Sequence, residues 1–374
     1  MKIALVHDYI KEFGGAERVL MTLHEMFPEA PIYTAFLTPE STAAKAFANA
    51  KVITSWANFL ICYKNLYSPL RFLAPLIWES FDFSGFDVVI LSSSWFITKP
   101  MRIPKHVKVI CYCHTPPRYL YGYRTAIDWQ RYWPVKIYGH LLGHFLRLYD
   151  FLGAKRVDKF IANSKNVAAR IEKFYRKPSV VIYPPVDVAK IEKLASQELL
   201  LRTYFLVASR ISSEKGLPMA MEAANKLGVK LKVVGEFSGL RWEEEKIDKN
   251  RSENIEFMGR VSDEELYKLY AGAKAFLVME PDVDFGMTPV EAMAAGTPVV
   301  AYKGGGYLET VIEGKTGMFF EEYNVGSLIK AMKSISEASL RVKSIKFNKE
   351  DLQKQAAKFS KEIFIKKMRE VVYA

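Results

Sequence analysis

Short apolar runs alternate with helical periodicity along almost the whole chain. In the first half, runs at 2–6, 32–36, 88–92, 107–113, 159–163 and 180–183 have the length of strands, and amphipathic patterns running to Phe27 and over 164–175 have the period of helices. The double proline Pro184-Pro185, followed by Val186-Asp187, reads as a linker. The alternation then restarts, with runs at 204–208, 231–234, 255–258, 275–279 and 299–302, helices running to Leu227 and over 263–271, and another from Thr288. Two successive β/α alternations joined by a linker predict an α/β chain of two Rossmann-like domains, 1–184 and 185–350, facing each other across a cleft.

Residues 276–317 hold the densest candidate chemistry. The run closing at Met279 leads through an acidic loop into a helix with Thr288 as its expected N-cap, Pro289 as its first residue, and Val290, Met293 and Ala294 on one face. Gly296-Thr297-Pro298 ends that helix, a strand follows, and Gly304, Gly305 and Gly306 come next. Such a βαβ unit offers ligands the carboxyl ends of its strands, and the free N–H groups of a helix start, here around Gly286, Met287 and Thr288, attract phosphate. Glu291, one turn inside, is expected to face the same crevice, where a carboxylate suits ribose hydroxyls better than a phosphate. Arg210 and Lys215, five apart at a strand end and on its loop, carry the charge to hold a diphosphate there; with Glu214 between them, a plain exposed pair is the alternative.

Two further loops follow strands in the first half. Gly14-Gly15 permit close approach of a phosphate or sugar, and equally a tight turn beneath the first helix. The pattern is not GxGxxG and no acidic residue follows at dinucleotide spacing, which discounts a nicotinamide site. His114 lies just past a strand end, before Pro116-Pro117, within reach of a ligand in the crevice.

Composition narrows the classes. Half of the residues are hydrophobic and a quarter are charged, enough for two cores in a 374-residue globular chain. The net charge of +12 favours anionic ligands, whether nucleotide diphosphates, acidic lipid headgroups or nucleic acid. Cys62, Cys111 and Cys113 are the only cysteines and form no CxxC pair, which fits a reducing cytoplasm. The first apolar run is too short for a signal peptide, and no run of 18 apolar residues predicts a membrane span. Zinc is a poor reading of Cys111, Cys113 and His114, which alternate along one strand, and His140 and His144 lack a third ligand.

Two aromatic-rich stretches remain open. Between Tyr119 and Phe151, ten aromatics interleave with Arg124, Arg131, Lys136 and Arg147; at helical spacing they read foremost as core, and if exposed as a membrane-interface or nucleic-acid stacking surface. Residues 59–78, broken by Pro69 and Pro75 and carrying Lys64 and Arg71, would likewise, if exposed, contact a membrane surface or a lipid-linked acceptor. A nucleic-acid partner rests on charge alone and ranks last.

GGAER, CHTPPRYLY, IANS, YPPVD, SR followed by EKG, FMGRVSDEEL and DFGMTPVEAMAAGTPVVAYKGGGYLETVIEGKTG occur in that order over nearly the whole chain. Together they resemble the GT-B glycosyltransferases of glycosyltransferase family 4, formerly the group 1 glycosyltransferases. The forms HTPPRYLY and DFGMTPVEA look most like bacterial mannosyltransferases of surface-polysaccharide assembly. The resemblance implies an enzyme that moves a sugar, mannose favoured, from a nucleotide-sugar donor, GDP-mannose favoured, to a glycan or lipid-linked acceptor; with the cysteine usage the expected place is the cytoplasm, peripheral at the inner face of the membrane if the aromatic stretches are exposed. Transfer with retention, no metal or other cofactor and no nucleic-acid partner are implied with it. Carried over by motif, Arg210 and Lys215 resemble the diphosphate ligands and Glu291 the ribose ligand, while Gly235, Met258 and Gly259 would border the base. Gly286, Met287 and Thr288 would present backbone to sugar and phosphate, Gly14 and Gly15 would flank the diphosphate, and His114 would lie near the transferred sugar. A front-face route suits this inventory: the leaving phosphate accepts the acceptor's proton while the two cations stabilise its growing charge.

One position departs from the family. Its paired glutamates are separated by seven residues, and counting back from Glu291 reaches Val283, which cannot hydrogen-bond a sugar. Asp282 or Asp284 would have to supply the carboxylate, with Asp284, beside Phe285-Gly286, favoured. Asp282-Val283-Asp284 also spells DxD, a metal signature of the other large glycosyltransferase fold, but a metal would make Arg210 and Lys215 partly redundant. The missing glutamate leaves a non-catalytic nucleotide-sugar-binding protein as the rival reading. At the C-terminus, Phe359, Ile363, Met368 and Val371 fall on or near one helical face; the resemblance implies that 351–374 cross back to the N-terminal domain, and exposure would suggest membrane contact.

Overall fold

A computed structural model describes residues 1–62, 69–123, 125, 133–196, 202–212, 215–237, 247, 250–337 and 347–374; Lys64, Arg124, Arg131 and Glu214 lie outside them. The chain forms two compact units, one of Met1–Arg124, Trp129–Pro185 and Glu362–Ala374, the other built on Val186–Lys361.

The first unit is a seven-stranded parallel sheet. Its strands β1 (Ile3–His7), β2 (Ile32–Thr34), β3 (Val52–Thr54), β4 (Val88–Ser93), β5 (Lys108–Cys113), β6 (Lys159–Ala162) and β7 (Ser179–Val181) lie in the order β3-β2-β1-β4-β5-β6-β7. β1, β4 and β5 are buried almost throughout, as parallel strands covered on both faces must be. The order reverses between β1 and β4, where His7 pairs with Ser92 across the ladder. A reversal of this kind splays the following loops apart and opens a crevice at the carboxyl ends of the strands.

The second unit repeats the plan with six parallel strands. β8 (Tyr204–Ala208), β9 (Lys230–Val234), β10 (Ile255–Gly259), β11 (Ala273–Val278), β12 (Val299–Tyr302) and β13 (Gly317–Phe320) take the order β10-β9-β8-β11-β12-β13, reversing between β8 and β11. The apolar pattern locates these strands to within a residue or two but passes over β3 and β13. Both are short: β3 offers only Val52-Ile53 and β13 only Met318-Phe319-Phe320 as apolar runs, below the length that marks a strand.

The C-terminal segment corrects the expected helical face. It is two helices, Lys349–Ala357 and Lys361–Tyr373, not one. Phe359 lies in the break and packs edge-on against Phe285, with ring centroids 5.4 Å apart. Ile363 is 38% exposed, and Phe364 takes the inward place with Met368, Val371 and Val372, in one core with Ile3, Leu5 and Ile90 of the first unit. The helical period is counted from Lys361, past the break, and this shifts the buried face by one residue. Lys108 Nζ donates to the carbonyls of Val371 and Val372 at 3.3 and 3.4 Å, satisfying acceptors at the helix end.

The aromatic stretch divides, against the expectation that it is mainly core. In the helix Trp133–Arg156, Leu146, Tyr149 and Asp150 point inward, while Trp133 (74% exposed), Ile137, Leu141, Phe145 (67%), Leu148 and Leu152 form an outward apolar stripe. Residues 59–78 divide in the same way. Trp78 is buried and donates through Nε1 to Phe96 O at 2.8 Å, whereas Phe59, Phe72 and Leu76 are exposed. Tyr138 OH joins the two stretches by donating to Pro69 O at 2.7 Å.

Inside this unit sits a buried charge cluster that the sequence pattern does not announce. Lys99 Nζ lies 2.7 Å from Asp150 Oδ1, and the hydroxyls of Tyr121 and Tyr175 donate to Asp150 Oδ2 at 2.7 and 2.9 Å. Burial, and then the Asp150 charge, push both phenols above their ordinary range, so they stay donors. Burial works against the charge on Lys99, but Asp150, with Cys111 and Cys113 nearby, outweighs it and holds the ammonium above the ordinary lysine value. Because that pKa is raised on folding, the contribution is complete at neutral pH and is lost only in strongly alkaline solution. Lys99→Met, which strands the Asp150 charge, is expected to cost about 3–5 kcal/mol in urea denaturation at pH 7, and Lys99→Met with Asp150→Leu to recover most of it.

Candidate functional site

In the first unit, Asp8 organises the loop after β4. Its carboxylate accepts from Ser94 N (3.0 Å), Ser94 Oγ (2.7 Å) and Phe96 N (3.0 Å), and also from Trp95 N and Thr98 Oγ1. Backbone N–H groups that leave the ladder at a reversal need new acceptors, and one buried carboxylate serves three of them. Gly14 caps the helix Gly15–Met26, and its N–H donates to Glu17 Oε2 at 3.0 Å. This arrangement is one half of a capping box.

His114 is buried at the end of β5. Its N–H donates to Ser93 O (2.9 Å), its carbonyl accepts from Asn163 Nδ2 (2.9 Å), and its Nε2 lies 2.8 Å from Ser92 Oγ. The IANS motif thereby gains a local reason. Asn163 anchors the His114 backbone, and Ser164 caps the helix Lys165–Tyr175 by accepting from Val167 N at 3.0 Å. Arg170, from the same helix, donates to Thr115 Oγ1 at 2.9 Å.

In the second unit, the loops after β8, β9 and β10 are stitched at the sheet edge by Ser209 N to Val234 O (3.1 Å), Ile211 N to Glu236 O (2.9 Å) and Gly235 N to Gly259 O (2.8 Å). Arg210 is exposed on this edge, and Gly235 lies directly against the Ser209 carbonyl. Met258 and Gly259 end β10 beside them. Lys215 begins the turn into the helix Leu217–Leu227, and its Nζ donates to Glu280 Oε2 just past the end of β11. Gly216 permits this meeting, since a Cβ there would stand 2.7 Å from Met279 Cβ.

The helix after β11 begins two residues earlier than expected, as Met287–Ala294, and its N-cap is Gly286 (φ 85°), not Thr288. Thr288 is already inside the helix, and a glycine cap supplies no side-chain acceptor to the first N–H groups. That leaves this helix start suited to an anion. Glu291 is buried and accepts from Tyr270 OH at 3.2 Å, a fixed partner that the sequence does not reveal. Val283 is buried, with Asp282 and Asp284 partly exposed on either side. The Val283 carbonyl accepts from Gly306 N at 2.9 Å.

Gly304–Gly306 exist for that contact. A Cβ on Gly305 would stand 2.5 Å from Val283 O, and one on Gly306 would stand 2.4 Å from Phe285 Cα. The carboxylate that meets Lys215 is Glu280, three positions before Val283 and outside the spacing that points to Asp282 or Asp284. Among the described residues, no three His, Cys, Asp or Glu side chains converge on a point that would hold a metal.

The family models described as Glycosyltransferase Family 4 and Glycosyl transferases group 1 match residues 13–190 and 191–357. The chain is similar to the alpha-1,3/1,6-mannosyltransferase alg2 of Schizosaccharomyces pombe, at 22% identity over 85% of this chain and 70% of that one. It is similar also to an uncharacterized glycosyltransferase of Methanocaldococcus jannaschii, at 27% identity over 57% of this chain and 59% of the relative's length. Among solved structures, Anabaena HepE in complex with UDP and glucose superposes with a TM-score of 0.70 over all of both chains at 18% identity. Sucrose-phosphate synthase from Thermosynechococcus elongatus reaches a TM-score of 0.75 at 15% identity, over all of this chain and 98% of that one. At these identities the superpositions establish the GT-B fold.

Gly306→Ala forces apart two loops that pack backbone to backbone, and it is expected to lower stability by about 1–3 kcal/mol in thermal or urea unfolding.

Proposed function

The chain belongs to the group 1, family 4 glycosyltransferases, and from that premise we propose that it is a retaining, metal-independent hexosyltransferase that moves mannose from GDP-mannose to a glycan or lipid-linked acceptor in cell-surface polysaccharide assembly. The observation that carries this reading is the meeting of the β8 and β11 loops, where Lys215 stands beside the segment leading to the uncapped helix start at Gly286. An ammonium, a guanidinium at Arg210 and unclaimed helix N–H groups on one sheet edge suit a diphosphate whose charge grows as it leaves. The relatives named as mannosyltransferases favour mannose.

In the proposed reaction, the bond from the sugar C1 to the diphosphate oxygen breaks and a bond from C1 to the acceptor oxygen forms on the same face. The acceptor's proton passes to the departing phosphate. Arg210 and Lys215 stabilise the new charge, Glu291 binds the ribose with Tyr270 fixing its orientation, and Gly235, Met258 and Gly259 border the base. His114 contacts the sugar, Gly14 and Gly15 flank the diphosphate, and Asp284 supplies the carboxylate that Val283 lacks. With two fixed cations on the leaving group, no metal is required for the charge.

A lipid-linked acceptor is supported by the outward stripe on the helix Trp133–Arg156. Among the described residues no helix is long and apolar enough to cross a membrane. This one instead exposes Trp133, Ile137, Leu141, Phe145, Leu148 and Leu152, flanked by Lys136, Arg147 and Lys155. Its single carboxylate, Asp150, is buried in the Lys99 cluster. An apolar face bordered by cations and free of exposed carboxylates suits the surface of an anionic bilayer.

GDP-mannose is expected to raise the thermal midpoint more than UDP-sugars or ADP-glucose do, and to be consumed with an α-linked product, in excess chelator as without it. Arg210→Ala and Lys215→Ala are each expected to lower kcat about 10²–10³-fold. Tight donor binding without turnover on any acceptor would favour the non-catalytic reading, and rescue of chelated enzyme by manganese would overturn the metal-free one. In vesicle flotation, the protein is expected to float with anionic but not neutral vesicles, and Leu141→Ser with Phe145→Ser to abolish this while leaving the fold intact.

A further inference from the structure

At the reversal point of the second sheet a carboxylate and an ammonium meet, with the carboxylate on the inside. Glu280 comes just after the end of β11 at Val278 and is 6% exposed. Its Oε2 accepts from Lys215 Nζ, and Lys215 is the outer member of the pair, its side chain 23% exposed against 7% for that of Glu280. The backbone brings the two together. Lys215 N donates to Ser212 O at 3.2 Å, and Gly216, with φ 71°, turns the chain so closely past β11 that a Cβ there would stand 2.7 Å from Met279 Cβ and 2.9 Å from the Tyr323 hydroxyl. Among the described residues, Glu280 Oε2 is the only acceptor that Lys215 Nζ meets. The other N–H groups of the ammonium are left for a ligand.

Stability alone is a poor account of this pair. Taking a carboxylate and an ammonium out of water together returns little, because the lost hydration offsets their attraction. A lysine ammonium also rides on a flexible stem and samples many rotamers unless something holds it. Here the anion is inside and the cation outside, at the carboxyl edge of the sheet, which is the geometry of a charge held for a ligand. We propose that Glu280 is a positioning residue: it aims the Lys215 ammonium at the diphosphate of the donor and, as a fixed anion behind that cation, weakens the hold on the nucleoside diphosphate once it is released. Aim serves the reaction, since a cation already in place stabilises the charge growing on the leaving oxygen without reorganising. The counter-charge serves release, since it repels a diphosphate that the ammonium alone would retain. This role rests on the reading of Lys215 as a diphosphate ligand; the pairing of Lys215 with Glu280 does not.

Full-length Glu280→Ala, Lys215→Ala and the double variant provide the test, by turnover and by calorimetric binding of GDP and of UDP. Lys215→Ala is expected to weaken nucleoside diphosphate binding about 10-fold or more. Glu280→Ala, which frees the ammonium and removes an anion, is expected to tighten that binding about 2–10-fold while lowering kcat about 10-fold or more. In the Lys215→Ala background, Glu280→Ala is expected to lower kcat no further, because the carboxylate acts through the ammonium. Glu280→Gln keeps an oxygen to accept from Lys215 Nζ and is expected to retain more of kcat than Glu280→Ala does. A carboxylate with only a structural role would weaken binding when removed and would lower kcat by the same factor with or without Lys215; either result would overturn the proposal. The expected binding shifts in a protein that turns over no acceptor would support the role of the pair and count against the transferase reading. A wild type that binds neither GDP nor UDP would overturn both.

Discussion

At the loop edge of a parallel sheet, every backbone group that leaves the ladder needs a new partner, and the chemistry of both units depends on how that need is met. The first unit meets it with side chains. Asp8 gathers the backbone of residues 94–96, and Asn163 takes the carbonyl of His114. The second unit uses backbone-to-backbone bonds, Ser209 to Val234, Gly235 to Gly259 and Gly306 to Val283. Loops closed in this way hold their backbones in place at the carboxyl edge of the sheet, where the proposed reaction calls for charge that need not reorganise.

Glycines in the second unit follow from the same constraint. At Gly216, Gly305 and Gly306 another backbone or Cβ occupies the place a side chain would need. Their close approach brings the β8 loop to Met279 and Glu280 and fixes the segment 281–285 against the loop after β12. The position held by Val283 is therefore a backbone anchor as well as a departure from the family's glutamate. Glu280, three residues earlier, supplies a carboxylate to Lys215 on the same edge. The two buried networks of the first unit differ in kind: the Lys99–Asp150 cluster ties the loop after β4 to two helices, whereas the His7–Ser92–His114 chain ends on a residue at the carboxyl edge of the sheet.

Much of the fold was legible because buried parallel strands write themselves as unbroken apolar runs. β8 and β12 fall on the expected residues, and the inner strands lie within two of them. β3 and β13 escaped because their apolar runs, Val52-Ile53 and Met318-Phe319-Phe320, are shorter than the runs that mark a strand. The helix start at Gly286 was misplaced by two residues because Thr288-Pro289 imitates a cap; only the φ of 85° at Gly286 shows where the helix begins. At the C-terminus, a single period drawn through Phe359 and Ile363 failed because the chain breaks after Ala357 and restarts at Lys361. The core reading of the aromatic helix failed on one face, since its sequence is apolar nearly all round and periodicity cannot tell which side finds a partner.

The sequence by itself determined the two β/α alternations, the family and the residues that end the strands, because all of these are local: apolar run length, turn residues and motif spacing. Only the tertiary structure decided which of those residues meet. Lys215 and Glu280 are 65 positions apart, and His7 and Ser92 are 85 apart. They come together because the strand order reverses between β8 and β11 and between β1 and β4. Strand order is set by how whole faces bury one another and leaves no local mark in the chain. It makes Glu291 a carboxylate held by Tyr270 and sets His114 against Ser92 and, through it, His7.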